Sequence, residues 1–402
     1  MSGLKVAPHG PFAFLKTLSK KTWIIIGTAA AAILVIVIVV PVEEAKKNSY
    51  PSYTALNYTL ADTYEGEDFF SLFDYYTDTD PADGYVTYVD SSTASSLNLT
   101  YASSSRAVLR VDTSDATDDT SSSDSGSSSN TNGNNQNGNN QNSNSDTNSF
   151  DTSHSVSTTA GWNTKQRRAD STAGRNSVRV TSKTTYNKGL FIFDVKHSPL
   201  GCGTWPALWL TDPDNWPTNG EIDVMEAVNL GDSGNQMTLH TKSNCEMNHK
   251  REMNGTALYE NCYWDANDEA GCGVQAKSKA TFGQAYNDNG GGITAVEWRS
   301  EGIRVWQFAR GSVPSDIDEG APDPSGWGTA TADFPDTGCD IDTHFKNQSI
   351  IINIDMCGSW AAGSAYTDAG CPSNCTDFVA NNPSNFTEAY WEFGSFQVYQ
   401  SS

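Results

Sequence analysis

The chain has 402 residues, with 48 acidic against 25 basic, and a net charge of −23. That balance excludes a nucleic-acid backbone as the partner, because phosphate binding needs a basic patch. It suits a soluble surface facing a neutral or cationic ligand, and the length fits one large β domain or two ordinary ones.

Residues 1–21 carry Lys5, Lys16, Lys20 and Lys21 and no acid. The run that follows, "TWIIIGTAAAAILVIVIVVPV" (22–42), has no charged residue. It is long enough to cross a bilayer as a helix, which takes about 20 residues. It continues directly into "EEAKK" rather than into the small-x-small site of a cleaved signal peptide. An uncleaved signal anchor is therefore expected, with 1–21 in the cytoplasm and the remainder outside. That makes the chain a single-pass type II membrane protein at the cell surface. A cleaved signal is the alternative and would export the same domain.

Residues 43–60 read as a short stalk. From residue 61 the chain is rich in aromatic and β-branched residues, with frequent Gly, Asn, Asp and Pro, and no long stretch keeps a 3.6-residue period. Strand-like runs include "GYVTYVD", "RAVLRVD", "NSVRVTSKTTY", "GLFIFDVKH", "QMTLHT", "SIIINIDM" and "YWEFGSFQVYQ". Many short strands with turn signals argue for an all-β sandwich or barrel. "EWRSEGIRVWQF" predicts a hairpin turning at "RSEG". Residues 114–149 are low complexity, Ser/Asn-rich, with no aliphatic side chain larger than Ala. They cannot offset folding entropy by burial, and a disordered insertion within one domain (61–402) is expected. A linker between two domains is the weaker reading, since 61–113 is short for a core.

"GEIDVMEAVN" (220–229) places Glu221, Asp223 and Glu226 on one predicted strand. Glu221 and Asp223 share a face, but strict alternation sends Glu226 to the other. A β-bulge at Val224–Met225 restores the phase, with Ile222, Val224 and Met225 facing the core. Three acids on one open face repel one another and call for a use. The arrangement fits glycoside hydrolysis with retention, where two carboxyl groups sit about 5–5.5 Å apart. A solvated edge strand is the bland alternative. Trp205, Trp209 and Trp216 just upstream tilt the balance, because sugar rings offer apolar C–H faces to aromatics. Trp209 could equally be core. On "NQMTLHT", Thr238 and His240 point one way and Met237 and Leu239 the other, so His240 is a candidate for the cleft.

The segments "GTWPALW…WPTNGEIDVMEAVN…QMTLHT", "VEWRSEGIRVWQFAR" and "IIINIDMCGSWA" resemble glycoside hydrolase family 16, specifically its fungal endo-β-1,3(4)-glucanase or laminarinase branch. The resemblance covers about residue 61 to the end. It implies a two-sheet antiparallel jelly-roll sandwich of the concanavalin A-like kind, with a concave cleft and retaining endo-hydrolysis of β-1,3 and mixed β-1,3-1,4 glucans. It implies Glu221 as nucleophile, Glu226 as acid/base and Asp223 as tuner of their protonation. His240 matches the family's His on the neighbouring strand. The chain departs from the branch at Ser359, where an acid is common, and in its Ser/Asn-rich insertion. A membrane-anchored wall-glucan transglycosylase is the alternative, and a non-catalytic glucan-binding protein a third. No cofactor is required for the chemistry, and a structural calcium ion is the one the reading leaves room for. A monomer is expected, with β-glucan and the membrane as partners.

Cys202, Cys245, Cys262, Cys272, Cys339, Cys357, Cys371 and Cys375 all follow the apolar run. An even count in an exported chain reads as disulfides, whose pairing the spacing leaves open. Six sequons, at Asn57, Asn98, Asn254, Asn347, Asn374 and Asn385, fall on the same side and make a glycoprotein the expectation.

Overall fold

A computed structural model describes residues 50–114 and 174–401, with a few positions between 19 and 28. Most of the expected anchor, residues 22–42, and all but the first residue of the low-complexity segment lie outside the described residues. Among the described residues no helix is long and apolar enough to cross a membrane.

Two eight-stranded sheets, numbered here in chain order, make the domain. The front sheet runs β12 (Thr256–Ala257), β13 (Val274–Gln275), β11 (Gln236–His240), β10 (Glu221–Glu226), β9 (Thr204–Thr211), β17 (Gln348–Met356), β7 (Arg179–Tyr186) and β2 (Phe73–Tyr75). The back sheet runs β16 (Ala332–Pro335), β15 (Gly302–Ala309), β14 (Gly292–Arg299), β8 (Gly189–His197), β18 (Tyr390–Ser401), β5 (Arg106–Arg110) and β4 (Thr100–Ser103). β1 (Tyr58–Tyr64) pairs with β18. A small parallel pair joins β3 (Val86–Tyr88) to β6 (Arg175–Ser177). Pairing within the large sheets is antiparallel, as in a jelly-roll sandwich.

The core lies between the sheets. Leu208, Leu210, Ile222, Val224, Leu239, Ile350 and Ile352 from the front meet Phe191, Phe193, Val296, Trp298, Phe393 and Phe396 from the back. Each such side chain contributes on the order of 2 kcal/mol by burial. The "GLFIFDV" of β8 does not alternate because both of its faces are covered. Phe191 and Phe193 enter the main core, while Leu190 and Ile192 join Ile293, Ile317 and Tyr399 in a second cluster. The predicted hairpin is β14–β15, with Arg299 opposite Gly302.

The two described segments meet near Asp112 and Asn176. Asp112 N–H donates to the Asn176 carbonyl (3.0 Å), and Asn176 Nδ2 donates to Asp112 Oδ2 (3.2 Å). The four disulfides are Cys202–Cys371, Cys245–Cys339, Cys262–Cys272 and Cys357–Cys375.

The described part of the expected stalk is not free-standing. Tyr53 lies with its ring 4.0 Å from the Arg304 guanidinium, and its hydroxyl donates to the Glu301 carbonyl (3.1 Å). Arg299 Nη1 donates to the Thr54 carbonyl (2.8 Å), and the Tyr58 hydroxyl donates to Glu297 Oε1 (2.9 Å). These contacts satisfy Glu297, a buried acid that also pairs with Arg299 and Arg304. Burying that acid requires such partners, and residues 50–58 supply one of them. The segment is thus strapped across the outer face of the back sheet.

Candidate active site

β10 sits in the middle of the front sheet, and its register carries the bulge. On the β9 side Asp223 faces Trp209 and Met225 faces Leu208, so Val224 is the extra residue. On the β11 side the register shifts between Asp223 and Glu226. Ile222, Val224 and Met225 are buried in the core, and Glu221 and Glu226 are half-buried on the other face. The expected open acidic face is only partly so, because Asp223 is 3% exposed.

A cleft of about 1070 Å³ runs over this strand. Glu221, Asp223, Glu226 and His240 all line it, as do Trp205, Trp209 and Trp216. All seven residues singled out from the sequence therefore meet in one place. Side-chain atoms of Glu221, Asp223 and His240 lie within 4.8 Å of one another. His240 is directly opposite Glu221 in the β10–β11 ladder, and its Nε2 is 3.4 Å from Asp223 Oδ2.

Each glutamate is held by an indole. Trp216 Nε1 donates to Glu221 Oε2 (2.6 Å), and Trp205 Nε1 donates to Glu226 Oε1 (2.7 Å). Trp209 is neither core nor tied to an acid. It donates to Asn353 Oδ1 (2.8 Å), and the Arg179 guanidinium packs 4.9 Å from its ring. Sequence reading treated the tryptophans as sugar platforms, and the structure adds this second duty. His240 is better described as the partner of Asp223 than as a sugar contact alone.

The electrostatics separate the acids. Burial, then the neighbouring Glu221 carboxylate, pushes Asp223 well above the usual carboxylate range. A protonated Asp223 can then donate a hydrogen bond to Glu221. Glu226 is also pushed well up, by burial first and the Asp223 carboxyl next, against the opposing Trp205 N–H and His240. Glu221 thus accepts from the Trp216 indole and can accept from a protonated Asp223, while burial favours the neutral forms of Asp223 and Glu226. The grouping also has the donor types of a cation site.

Other cleft residues escaped the sequence. Arg179 and Asn353 brace Trp209, and Tyr76 packs 4.6 Å from the Arg179 guanidinium. Trp360 meets Trp205 edge-on at 5.8 Å, beside Ser359, which the sequence had already marked as a departure from the branch and which lines the wall. Trp264, between two cysteines in "NCYWDANDEAGC", carried a signal that was passed over.

The family model described as "XgeA-like, catalytic GH16 domain" matches residues 73–130 and 124–399. The chain belongs to glycoside hydrolase family 16. Among curated family relatives, a probable glycosidase of Schizosaccharomyces pombe is 43% identical over 359 residues, 89% of this chain and 72% of that protein. A probable endo-1,3(4)-beta-glucanase of Aspergillus niger is 35% identical over 86% of this chain, which spans only 40% of that protein. Among solved structures, Laminarinase 16A from Phanerochaete chrysosporium, with beta-glucans in donor and acceptor sites, matches at 40% identity and a TM-score of 0.69. It covers 86% of this chain and 100% of its own. An elongating family 16 beta-1,3-glucosyltransferase matches at 34% identity and a TM-score of 0.67, covering 85% and 100% respectively.

Proposed function

We propose that this family 16 member is a retaining endo-β-1,3(4)-glucanase. The observation that carries the proposal is the bulged β10, which turns two glutamates into the cleft while an indole N–H holds each one. Glu221 is the nucleophile. Its carboxylate attacks the anomeric carbon as Glu226 gives its proton to the leaving glycosidic oxygen. Glu221 loses its negative charge in the glycosyl-enzyme. Glu226, left as a carboxylate by that proton transfer, takes a proton from water, whose oxygen attacks the anomeric carbon and releases the Glu221 carboxylate. Asp223 keeps a proton between Glu221 and His240 and so prevents three charges from gathering. Trp205, Trp209 and Trp216 offer ring faces to the sugars of the chain.

The test is incubation with laminarin, lichenan and chitin, with product sizing and NMR of the first-formed anomer. Shortened β-anomeric products from the first two glucans support the proposal. Products longer than the substrate mean transfer to a sugar hydroxyl, and α-products mean inversion. Binding without turnover leaves only a glucan-binding protein.

The proposed setting is the cell surface, with residues 22–42 as an anchor and the domain outside. The uncharged run and preceding lysines support it, as do the sequon asparagines, all six of which are exposed. Protease treatment of sealed microsomes should then remove only the cytoplasmic tail. A soluble product beginning near residue 43 would show cleavage instead.

A further inference from the structure

We infer that the short loop closed by the Cys262–Cys272 disulfide positions the catalytic carboxylates, through Trp264 at one end and Gly271 at the other. This rests on Glu221 acting as the nucleophile, and it adds residues that the proposed chemistry does not use.

The loop is stitched to the chain around His240. Thr241 N–H donates to the Cys262 carbonyl (2.8 Å), and Trp264 N–H donates to the Thr241 carbonyl (2.9 Å). At the far end, Cys272 N–H donates to the Leu239 carbonyl (3.2 Å). Both cysteines are fully buried and lie ten residues apart. Between them Asn267, Asp268 and Glu269 all take positive φ, at 56°, 55° and 65°. Left-handed conformations at three consecutive non-glycine residues are costly, so the surrounding closure has to hold them.

Trp264 packs against Trp216 with ring centroids 5.3 Å apart. Trp216 is 43% exposed, yet its N–H must stay aimed at Glu221 Oε2. A half-exposed indole has rotamer freedom, and the ring of Trp264 takes some of it away. Gly271 works on the other acid. Its φ is +58°, and a Cβ there would fall 2.6 Å from the Leu239 carbonyl oxygen, 2.7 Å from Thr238 Cγ2 and 2.9 Å from His240 Cε1. Only glycine lets the loop close down on His240, which faces Asp223. One disulfide-closed loop therefore backs Trp216 behind Glu221 and His240 behind Asp223. Trp264 and Gly271 touch neither carboxylate in this scheme, so both are positioning residues.

The titratable groups around Glu221 are Asp223 and Glu226 on its own strand, His240 on β11, and Asp268 and Glu269 from the loop in the cleft wall. A change confined to Trp264 leaves all of them in place, so a loss of kcat reports their alignment and not their removal. The experiment measures kcat and KM on laminarin from pH 3 to 9 for the full chain and for Trp264→Ala, Trp264→Phe and Gly271→Ala, each with its Tm. Trp264→Ala should lose about tenfold in kcat with KM within about twofold, as expected for misplaced groups. Trp264→Phe should recover most of the lost kcat, and Gly271→Ala should lower kcat with little change in KM.

A raised KM with kcat unchanged would make Trp264 a sugar platform and overturn the inference. So would losses that vanish once rates are normalised to folded protein. Failure of the underlying function reads differently, as a wild-type chain inactive on glucan or a Glu221→Gln variant that stays active.

Discussion

Replacing Trp205 by Phe tests the electrostatic division of labour. The indole N–H donates to Glu226 Oε1 at 2.7 Å, and phenylalanine keeps an aromatic face for sugar but no donor. A hydrogen bond to a charged group contributes about 1.5–3 kcal/mol. Glu226 is only half-buried by accessible surface, so water replaces part of that loss and the lower figure applies. One pKa unit corresponds to about 1.4 kcal/mol, which sets the expected displacement at about one unit. The direction follows from the form the donor favours. Trp205 stabilises the carboxylate, so its removal favours the neutral acid that burial and Asp223 already favour. Loss of the proton from Glu226 should end activity on the alkaline side, so the basic limb of kcat/KM should move up by about one unit. The three carboxyls titrate together, and the limb is a property of the group. Initial rates on laminarin across pH 4–10 measure it. Trp209→Phe is the comparator, since that indole donates to Asn353 and its removal should change KM without moving the limb. A basic limb that stays put or moves down in Trp205→Phe would refute the assignment of Glu226 as the proton donor.

Further outcomes follow from other parts of the molecule. Burial and the Asp80 carboxylate raise Asp355 to about 8. The folded chain therefore holds a proton that the unfolded chain releases near pH 4, so this pair lowers stability as pH rises from about 4 to about 8. Asp355→Asn should flatten that slope of Tm against pH and raise Tm at pH 8, and an unchanged slope would discount the pair. The Cys202–Cys371 bridge spans 169 positions and Cys262–Cys272 spans 10. Chain-entropy arguments give about 5 against about 3 kcal/mol, so the double alanine variant of the first should lose more Tm. Because Asp112 and Asn176 already touch, replacing residues 118–168 by a short Gly-Ser turn should keep kcat within about twofold. A misfolded product would show that those residues belong to the domain.

The central strand was legible because its chemistry and its periodicity disagreed. Glu221, Asp223 and Glu226 cannot share a face without an added residue, and that mismatch located the bulge before any coordinates. The all-β class was legible for a similar reason, from short runs cut by turn residues. What the chain did not disclose were contacts between segments far apart in sequence. Arg179 reaches Trp209 from another strand, and Asn353 meets it from a third. The tryptophans looked like sugar platforms because an indole's apolar face is a property of the residue type. Its N–H has a direction only once the backbone is placed. The burial of Asp223 was missed likewise, since alternation assigns a face but not the depth of what covers it. The docking of residues 50–58 rests on Glu297, Arg299 and Arg304 more than 200 positions away, and a polar segment with scattered tyrosines gives no hint of that.

That strap has a mechanical consequence. A pull on whatever precedes Tyr50 is taken up first by the tyrosine–arginine contacts on the back sheet, and then by β1 along β18. The load path runs through the sheet that carries no chemistry, while β10 and its bulge lie across the core. A domain tugged through its N-terminus by a moving surface or a bound polymer would yield at the back before the alignment of Glu221 and Glu226 was disturbed.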